Sequence, residues 1–482
     1  MNPIRLLAFH TLCLTVLAGC GAVGQVDRAP GIHAGAAERD ISPPVGLEIL
    51  HPFRKNIGIH DPLFVRALVL EDAKGTSVAI ITADMICAGF AACDELRDRV
   101  KKKAGVGEVW FNCSHSHSSR WLGASPTPGQ KWTDELAWDE FLDRPLGEGT
   151  EEEKWNRKVH EAAVAIVVEA KRKSVPVTLH AGRAPAQVGF NRRVTAADGR
   201  THMAVNRKGP VVPWVNVLVA KARQSAAGVK AGEPLAVLFE HAAHPVTVPD
   251  TSKLVSADFP GAAVARIHEK LGKGVIALFG QGCNGNVNSF PLRSTHADAD
   301  AAGRKLGDAV LKAVHESDPI TATTIKLRSK RIWLPTRELP SAETVAKLKK
   351  DAADRPERLE QLGKISVLRK GGGKPPPRRF DVYGVLLGDE WCLVGMSYET
   401  FAQYELWIDK NAPFERTMVF CLTNGGRAYI GTDDALSMGP NGGYEAGCLP
   451  NWGGHETMSP HLGPPAVGCE KLIHGAFEAL WR

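Results

Sequence analysis

Two pairs of histidines stand where this chain could do chemistry. The first lies in Asn112-Cys113-Ser114-His115-Ser116-His117-Ser118-Ser119, directly after the apolar run Val109–Phe111. Along an extended chain alternate side chains share a face, so His115 and His117 point together and Ser116 points away. Two imidazoles on one face at a strand end suit metal ligation, or one ligand beside one acid–base group. An H-x-H pair is as often just two hydrogen-bonded loop histidines, so it needs company. The second pair lies in Glu240-His241-Ala242-Ala243-His244-Pro245, after the apolar Leu235–Phe239. Pro245 ends any helix and keeps His244 extended, which limits how its ring is aimed. Strand-end histidines from two separate strands are what a zinc or iron site requires. Taken alone, the second cluster is equally well read as surface polarity.

Three further stretches carry polar groups in glycine-rich surroundings. Gly280-Gln281-Gly282-Cys283-Asn284-Gly285-Asn286-Val287-Asn288-Ser289 follows the apolar Val275–Phe279. Its glycines let backbone N–H groups approach a ligand closely, although by itself it reads as a turn. It lacks the G-x-x-x-x-G-K-[ST] pattern, so a nucleotide P-loop is not supported. Glu399, in Val394-Gly395-Met396-Ser397-Tyr398-Glu399-Thr400, ends a strand and starts a helix, where the helix dipole alone favours a carboxylate. Tyr429 closes Thr423-Asn424-Gly425-Gly426-Arg427-Ala428-Tyr429, and Tyr444 lies in Gly443-Tyr444-Glu445-Ala446. The chain has only five tyrosines, so these two are candidates for a polar site, or else they simply pin their loops.

The elements that must position these groups interleave strands and helices. Phe64–Glu71 and Ser77–Ala83 read as buried strands. Glu151–Lys173 is an amphipathic helix with an acidic first turn and a basic last one. Leu235–Phe239 and Val275–Phe279 are strands flanking a helix over Phe259–Leu271. His296–His315 and Ile473–Trp481 are helices, and Val382–Leu387 with Cys392–Met396 forms a hairpin. This order predicts an α/β fold: one large domain with mixed β-sheets flanked by helices and long site-forming loops. The basic, Gly/Pro-rich Arg369–Arg379 is the one candidate internal linker.

Composition narrows the class. With 482 residues, 44% hydrophobic and 23% charged, the chain is ordinary globular material rather than disordered. Its net charge of +6 is scattered rather than gathered in a stripe, which argues against nucleic acid as a partner. Leu6–Leu17 is too short to span a membrane and reads as a secretory signal. Its ending, Leu17-Ala18-Gly19-Cys20, resembles a bacterial lipobox, which implies cleavage before Cys20 and lipidation of that thiol; a plain signal peptide is the alternative. The expected organisation is a signal peptide over 1–19, a tether over 20–34 and a folded body over 35–482. The product would be exported and lipid-anchored in the bacterial cell envelope. The remaining cysteines are irregularly spaced without C-x-x-C, so no disulfide is assigned and no cysteine zinc site is expected.

Arg39-Asp40-Ile41-Ser42-Pro43-Pro44-Val45-Gly46 resembles the opening D-I-T-P-P-V-G of the neutral/alkaline non-lysosomal ceramidases, a family of zinc-dependent amidases of N-acylsphingosine. The likeness continues in the family's order through Ile59-His60-Asp61-Pro62-Leu63 with Arg66-Ala67. The S-H-S-H-S segment follows, similar to T-H-T-H-S, then Asn191-Arg192, and Ser256-Ala257-Asp258-Phe259-Pro260-Gly261, similar to S-x-D-x-x-G. It spans residues 35–470 and leaves out that family's immunoglobulin-like C-terminal domain.

The resemblance implies a Zn2+ cofactor held by His115, His244, Glu399 and Tyr429. The family's proline follows its ligand, so the metal is assigned to His244 rather than His241. His241 would then be structural or orient a ligand through its second nitrogen. His117 matches the second histidine and would pass a proton to the leaving amine. Arg192 or Tyr429 would steady the oxyanion, and Asn288 and Tyr444 would line the substrate pocket. Asn288 stands where the family has serine, with no proline directly after it. That departure, with the missing domain, bears on the substrate: an N-acyl lipid such as ceramide, or another amide or ester of the cell envelope. A surface-anchored binding protein without turnover is the alternative from a different class.

Overall fold

The computed structural model describes residues 31–49, 54–123, 145–225, 228–338, 341–351, 359, 377–446 and 465–482. Residues 1–19, Cys20 and most of Arg369–Arg379 lie outside them. The folded body starts before residue 35, because Ile32–Asp40 forms a strand whose Ile32 pairs with Val177 and whose Ala34 is fully buried. The expected tether therefore cannot include Ile32–Ala34.

The larger sheet uses β1 (Ile32–Asp40), β2 (Phe64–Glu71), β3 (Ser77–Ala83), β4 (Glu108–Cys113), β5 (Val175–Pro185), β6 (Trp214–Ala222), β7 (Pro234–His241) and β8 (Ile276–Gln281). Their spatial order is β8-β7-β6-β5-β1-β2-β3-β4, with Asp318–Ile320 added beside β5 to make nine strands. The smaller sheet runs β9 (Ile325–Leu334), β10 (Arg378–Leu387), β11 (Trp391–Met396) and β12 (Arg416–Phe420). The expected hairpin is the antiparallel β10–β11 pair.

Period-two alternation explains why the strands of the larger sheet are apolar throughout: both faces are covered. On one face, Val65, Ala67, Ile81 and Phe111 pack under α1 (Phe90–Ala104) and α2 (Glu151–Arg172). Further along the same face, Val217, Phe239 and Phe279 pack under α3 (Asp258–Leu271) and α4 (His296–His315). The start of α2 is fixed by a capping box, in which Thr150 accepts from the Glu153 amide and the Glu153 side chain reaches back. The opposite face, with Leu68, Ile80, Leu238 and Leu278, meets Tyr383, Leu393, Met418 and Phe420 of the smaller sheet. That sheet's far side, including Phe380, Val382, Val394 and Met396, lies under α5 (Ala402–Asn411) and α6 (Cys469–Trp481). The layers are helix, sheet, sheet, helix.

In these two sheets every parallel pair closes around one helix: β3-α1-β4, β7-α3-β8 and β11-α5-β12. A parallel pair needs such a crossover, and the ends of its strands form the crevice where α/β folds gather ligands. One asparagine ties the three together. Asn112, near the end of β4, donates to the Cys421 carbonyl at 2.5 Å and accepts from the Gln281 amide at 2.9 Å.

Candidate metal centre

Each crossover delivers site residues from the ends of its strands. His115 follows β4, His244 follows β7, the Gly280–Ser289 loop follows β8, and Glu399 and Tyr429 follow β11 and β12. Glu399 and Tyr429 face each other in a short parallel bridge of their own.

His115 and His244 approach the same oxygen. His115 Nε2 lies 3.1 Å from Glu399 Oε2 and His244 Nε2 lies 3.0 Å from it. All three side chains are buried. The opposite nitrogens are committed: His115 Nδ1 lies 2.5 Å from the Ile86 carbonyl and His244 Nδ1 lies 2.7 Å from the Asn284 carbonyl. A carbonyl only accepts, so Nδ1 carries a hydrogen in both rings and each Nε2 is left to face the Glu399 oxygen. Two Nε2 atoms and a carboxylate oxygen then converge on one point, an arrangement whose donor atoms could hold a cation.

The electrostatics point the same way. Burial and the Arg192 charge push His244 down to about 4, against its bond to Glu399. Burial alone would raise Glu399, but His115 and His244 outweigh it and hold the carboxyl well below its ordinary range. A neutral His244 beside an ionised Glu399 is the pair of states in which both side chains could hold a cation. Tetrahedral zinc with bonds of about 2.0–2.2 Å sets its ligands about 3.3–3.6 Å apart, close to the separations here. The donor set fits such an ion.

His115 and His117 do meet, though by a different route from the one the extended chain predicts. His115 has φ 69°, in the left-handed region that a non-glycine residue rarely occupies, so the chain turns at this point. The two rings lie edge to face at 5.1 Å, while Ser116 turns away and donates to the Ser256 carbonyl at 2.6 Å. The ligand nitrogens of His115, His117 and His244 all lie within 4.8 Å of one another. His241 is elsewhere: its Nδ1 donates to the Trp214 carbonyl at 2.8 Å, and burial lowers it to about 4.

Arg192 forms the other wall. Its guanidinium donates to Glu445 Oε1, Asn288 Oδ1 and the Gly285 carbonyl, each at 2.8 Å. It also lies 5.1 Å from the Tyr429 ring centre and 5.9 Å from that of Tyr444. Burial, Glu399 and Tyr444 raise the Tyr429 phenol well above its usual value, so it is a neutral donor at physiological pH. Glu445, which also binds Arg193 at 2.5 Å, escaped the sequence reading, although it stands next to Tyr444. The Gly280–Ser289 loop is more than a turn: its backbone holds His244 and Arg192, and the Gly285 amide donates at 2.8 Å to the Thr400 carbonyl beside Glu399.

No protein-family model and no curated protein sequence matches the chain. Solved structures do. The crystal structure of neutral ceramidase from Pseudomonas aeruginosa is similar with a TM-score of 0.67 and 16% identity, covering 94% of this chain and 74% of that one. A ceramidase complexed with C2 is similar with a TM-score of 0.62 and 17% identity, covering 87% and 72%. The chain has the neutral ceramidase fold. Within that ceramidase fold the cysteines are plain packing: among the described residues, Cys87, Cys93, Cys113, Cys283, Cys392, Cys421 and Cys469 are buried free thiols.

Proposed function

We propose that the chain is a zinc-dependent amidohydrolase acting on N-acyl lipids, with ceramide as the leading candidate. The observation that carries this reading is the approach of His115 Nε2 and His244 Nε2 to one Glu399 oxygen while both Nδ1 atoms are held by carbonyls. The ceramidase fold supports it.

His115, His244 and Glu399 would hold the ion, with Tyr429 as the fourth ligand. Zinc bound there would supply Lewis acidity and bring the pKa of a bound water towards about 7. The chain's own residues do the rest. His117, whose ring lies 5.1 Å from His115 and 5.9 Å from His244, takes up a proton and returns it to the leaving amine. Tyr429 and Arg192 offer N–H and O–H groups towards the developing oxyanion, and Glu445 keeps the guanidinium fixed. Tyr444, 5.3 Å from the Tyr429 ring, and Asn288 bound the substrate space.

Asn288 in place of serine favours a second substrate reading, another N-acyl compound or ester of the cell envelope. We also propose export and lipid anchoring through Cys20, and no helix among the described residues is long and apolar enough to cross a membrane. Metal analysis of the purified full chain, followed by hydrolysis of fluorescent ceramide and several N-acyl amino sugars with and without chelator, tests the function. Stoichiometric zinc and chelator-sensitive amide hydrolysis are expected; a protein free of zinc after zinc loading would sink the proposal. Mass spectrometry of the mature N-terminus tests the anchor.

A further inference from the structure

The chain after His244 runs as a strap along one side of the candidate site. Three of its carbonyls, within residues 245–250, hold three side chains' neighbourhoods together. Pro245 accepts from the His117 amide at 3.3 Å, Val246 accepts from the Arg293 amide at 2.8 Å, and Asp250 accepts from the Arg54 guanidinium. His117, Arg293 and Arg54 are thereby gathered on one short segment. They share a pocket with Asp250, and the buried Val246 and Val248 form its apolar part. Inside there is room for about one water. A larger group meets the guanidinium groups at the mouth, where the Arg293 side chain is 37% exposed.

This pocket is short of negative charge. Among the described residues lining it, Asp250 is the only carboxylate facing two guanidinium groups. Its Oδ2 lies 3.4 Å from Arg293 Nη1, longer than a strong charge-assisted hydrogen bond, and Arg54 takes only its neutral carbonyl. Arg54 Nε is buried and has no hydrogen-bond partner among the described residues. A guanidinium presents its N–H donors in a fork that fits a carboxylate or a phosphate. The valines beside these donors keep the local dielectric low, which strengthens their attraction for an anion.

The position beside His117 says which end of a substrate reaches the pocket. In amide hydrolysis water adds to the carbonyl carbon and the C–N bond breaks, giving a carboxylic acid and an amine. The nitrogen leaves with the proton that His117 returns, so it lies near that ring. Its substituent, not the acyl chain, then extends towards Arg293 and Arg54. Sphingosine would bring hydroxyl groups and, once released, a positive ammonium. Neither matches a pair of guanidinium groups.

We propose that the preferred substrate carries an acidic group on its leaving amine, bound by Arg293 and Arg54: an N-acyl amino acid or the phosphate of an N-acyl amino alcohol. This rests on the amidohydrolase reading above and deepens it. Fold alone puts uncharged ceramide first; the charge beside His117 moves the preference to acidic N-acyl compounds. Asp250 competes with the acidic group for Arg293, so removing the arginine and removing the aspartate shift selectivity in opposite directions.

Matched substrates test this: N-dodecanoylglycine, N-dodecanoylethanolamine and the phosphate of the latter, each below its micelle concentration. With the full-length, zinc-loaded chain, kcat/KM should favour the acidic compounds by about tenfold or more, the usual size of one charged hydrogen bond. Which acid leads tells carboxylate from phosphate. Arg293→Gln should lower the acidic-to-neutral ratio by about tenfold, and Asp250→Asn should raise it by about two- to threefold. A general disturbance of the site would not give opposite signs. Equal kcat/KM for charged and uncharged substrates, or shifts of the same sign in both variants, would overturn the proposal. Equal rates that rise alike on vesicles of anionic phospholipid would place the recognised charge in the membrane and overturn it too. If no amide is cleaved, the amidohydrolase reading fails instead, and calorimetry with the zinc-free chain decides. Tighter binding of N-dodecanoylglycine than of the ethanolamide, weakened by R293Q, supports the site; equal binding refutes it. If the variants do not fold, the wild-type ratio should shrink between about 0.05 and 0.5 M NaCl, and a constant ratio refutes the proposal.

Discussion

Among the described residues, two groups of side chains have the makings of a metal site, and they differ in what their second atoms do. At the crossover ends, His115 and His244 meet Glu399 in a buried pocket; nearer the surface, His60, Asp61 and His296 also cluster. The His115 and His244 rings stand at 73° with centres 4.7 Å apart, so lone pairs lying in the ring planes can meet at a point. The His60 and His296 rings are stacked at 4.0 Å and 18°, so their lone pairs lie in nearly parallel planes and do not converge. His60 Nδ1 is bonded to Asp61 Oδ1 at 2.7 Å, and His296 Nε2 to Ser252 Oγ at 3.0 Å. Residue type and nearness are shared by both clusters. Commitment of the far nitrogen to a carbonyl, with the near one aimed inward, belongs to the first alone.

The sharpest way to break this contrast is to remove the ring at its centre. His244→Ala should lower zinc affinity by more than about 100-fold, beyond the usual cost of losing an outer partner, and abolish hydrolysis. His241→Ala should keep its zinc within about tenfold; the reverse pattern would show that the wrong histidine was chosen. Next in size, His117→Ala should reduce kcat by about 10²–10⁴ while zinc stays bound. Loss of zinc in that variant would make His117 a ligand, with His115 and His244 completing a three-histidine set. Tyr429→Phe removes the neutral phenol beside Arg192 and should cost about 10²–10³ in kcat, the range for one oxyanion donor. Smallest of all, the double change His60→Ala, His296→Ala should leave zinc stoichiometry at one and affinity within about twofold. A second zinc in the wild type that this variant lacks would erase the distinction between the clusters.

Much of this was readable in the chain because it is local. The strands Phe64–Glu71 and Ser77–Ala83 and the helix His296–His315 coincide with their apolar patterns, and α2 ends within a residue of the basic turn that marks it. The site residues could be named because imidazole, carboxylate and phenol carry their chemistry in their side chains. What aims them was hidden. The Ile86 and Asn284 carbonyls hold the two rings, and a carbonyl leaves no mark in a sequence. The left-handed turn at His115 defeats an alternation argument that assumes an extended chain.

Asn112 has a consequence for how the molecule comes into being. Its amide bonds reach Cys421, 309 positions away, and Gln281, 169 positions away. Contacts this distant close late, because the chain must first surrender the entropy of the long loops between them. Half a molecule, or one sheet without the other, would present His115 with no Glu399 to face. Metal capture at the proposed site would thus be an event of the finished protein, unlike that of a zinc finger, which the ion itself folds. A nascent chain could travel without gathering metal on the way and acquire it only where folding ends.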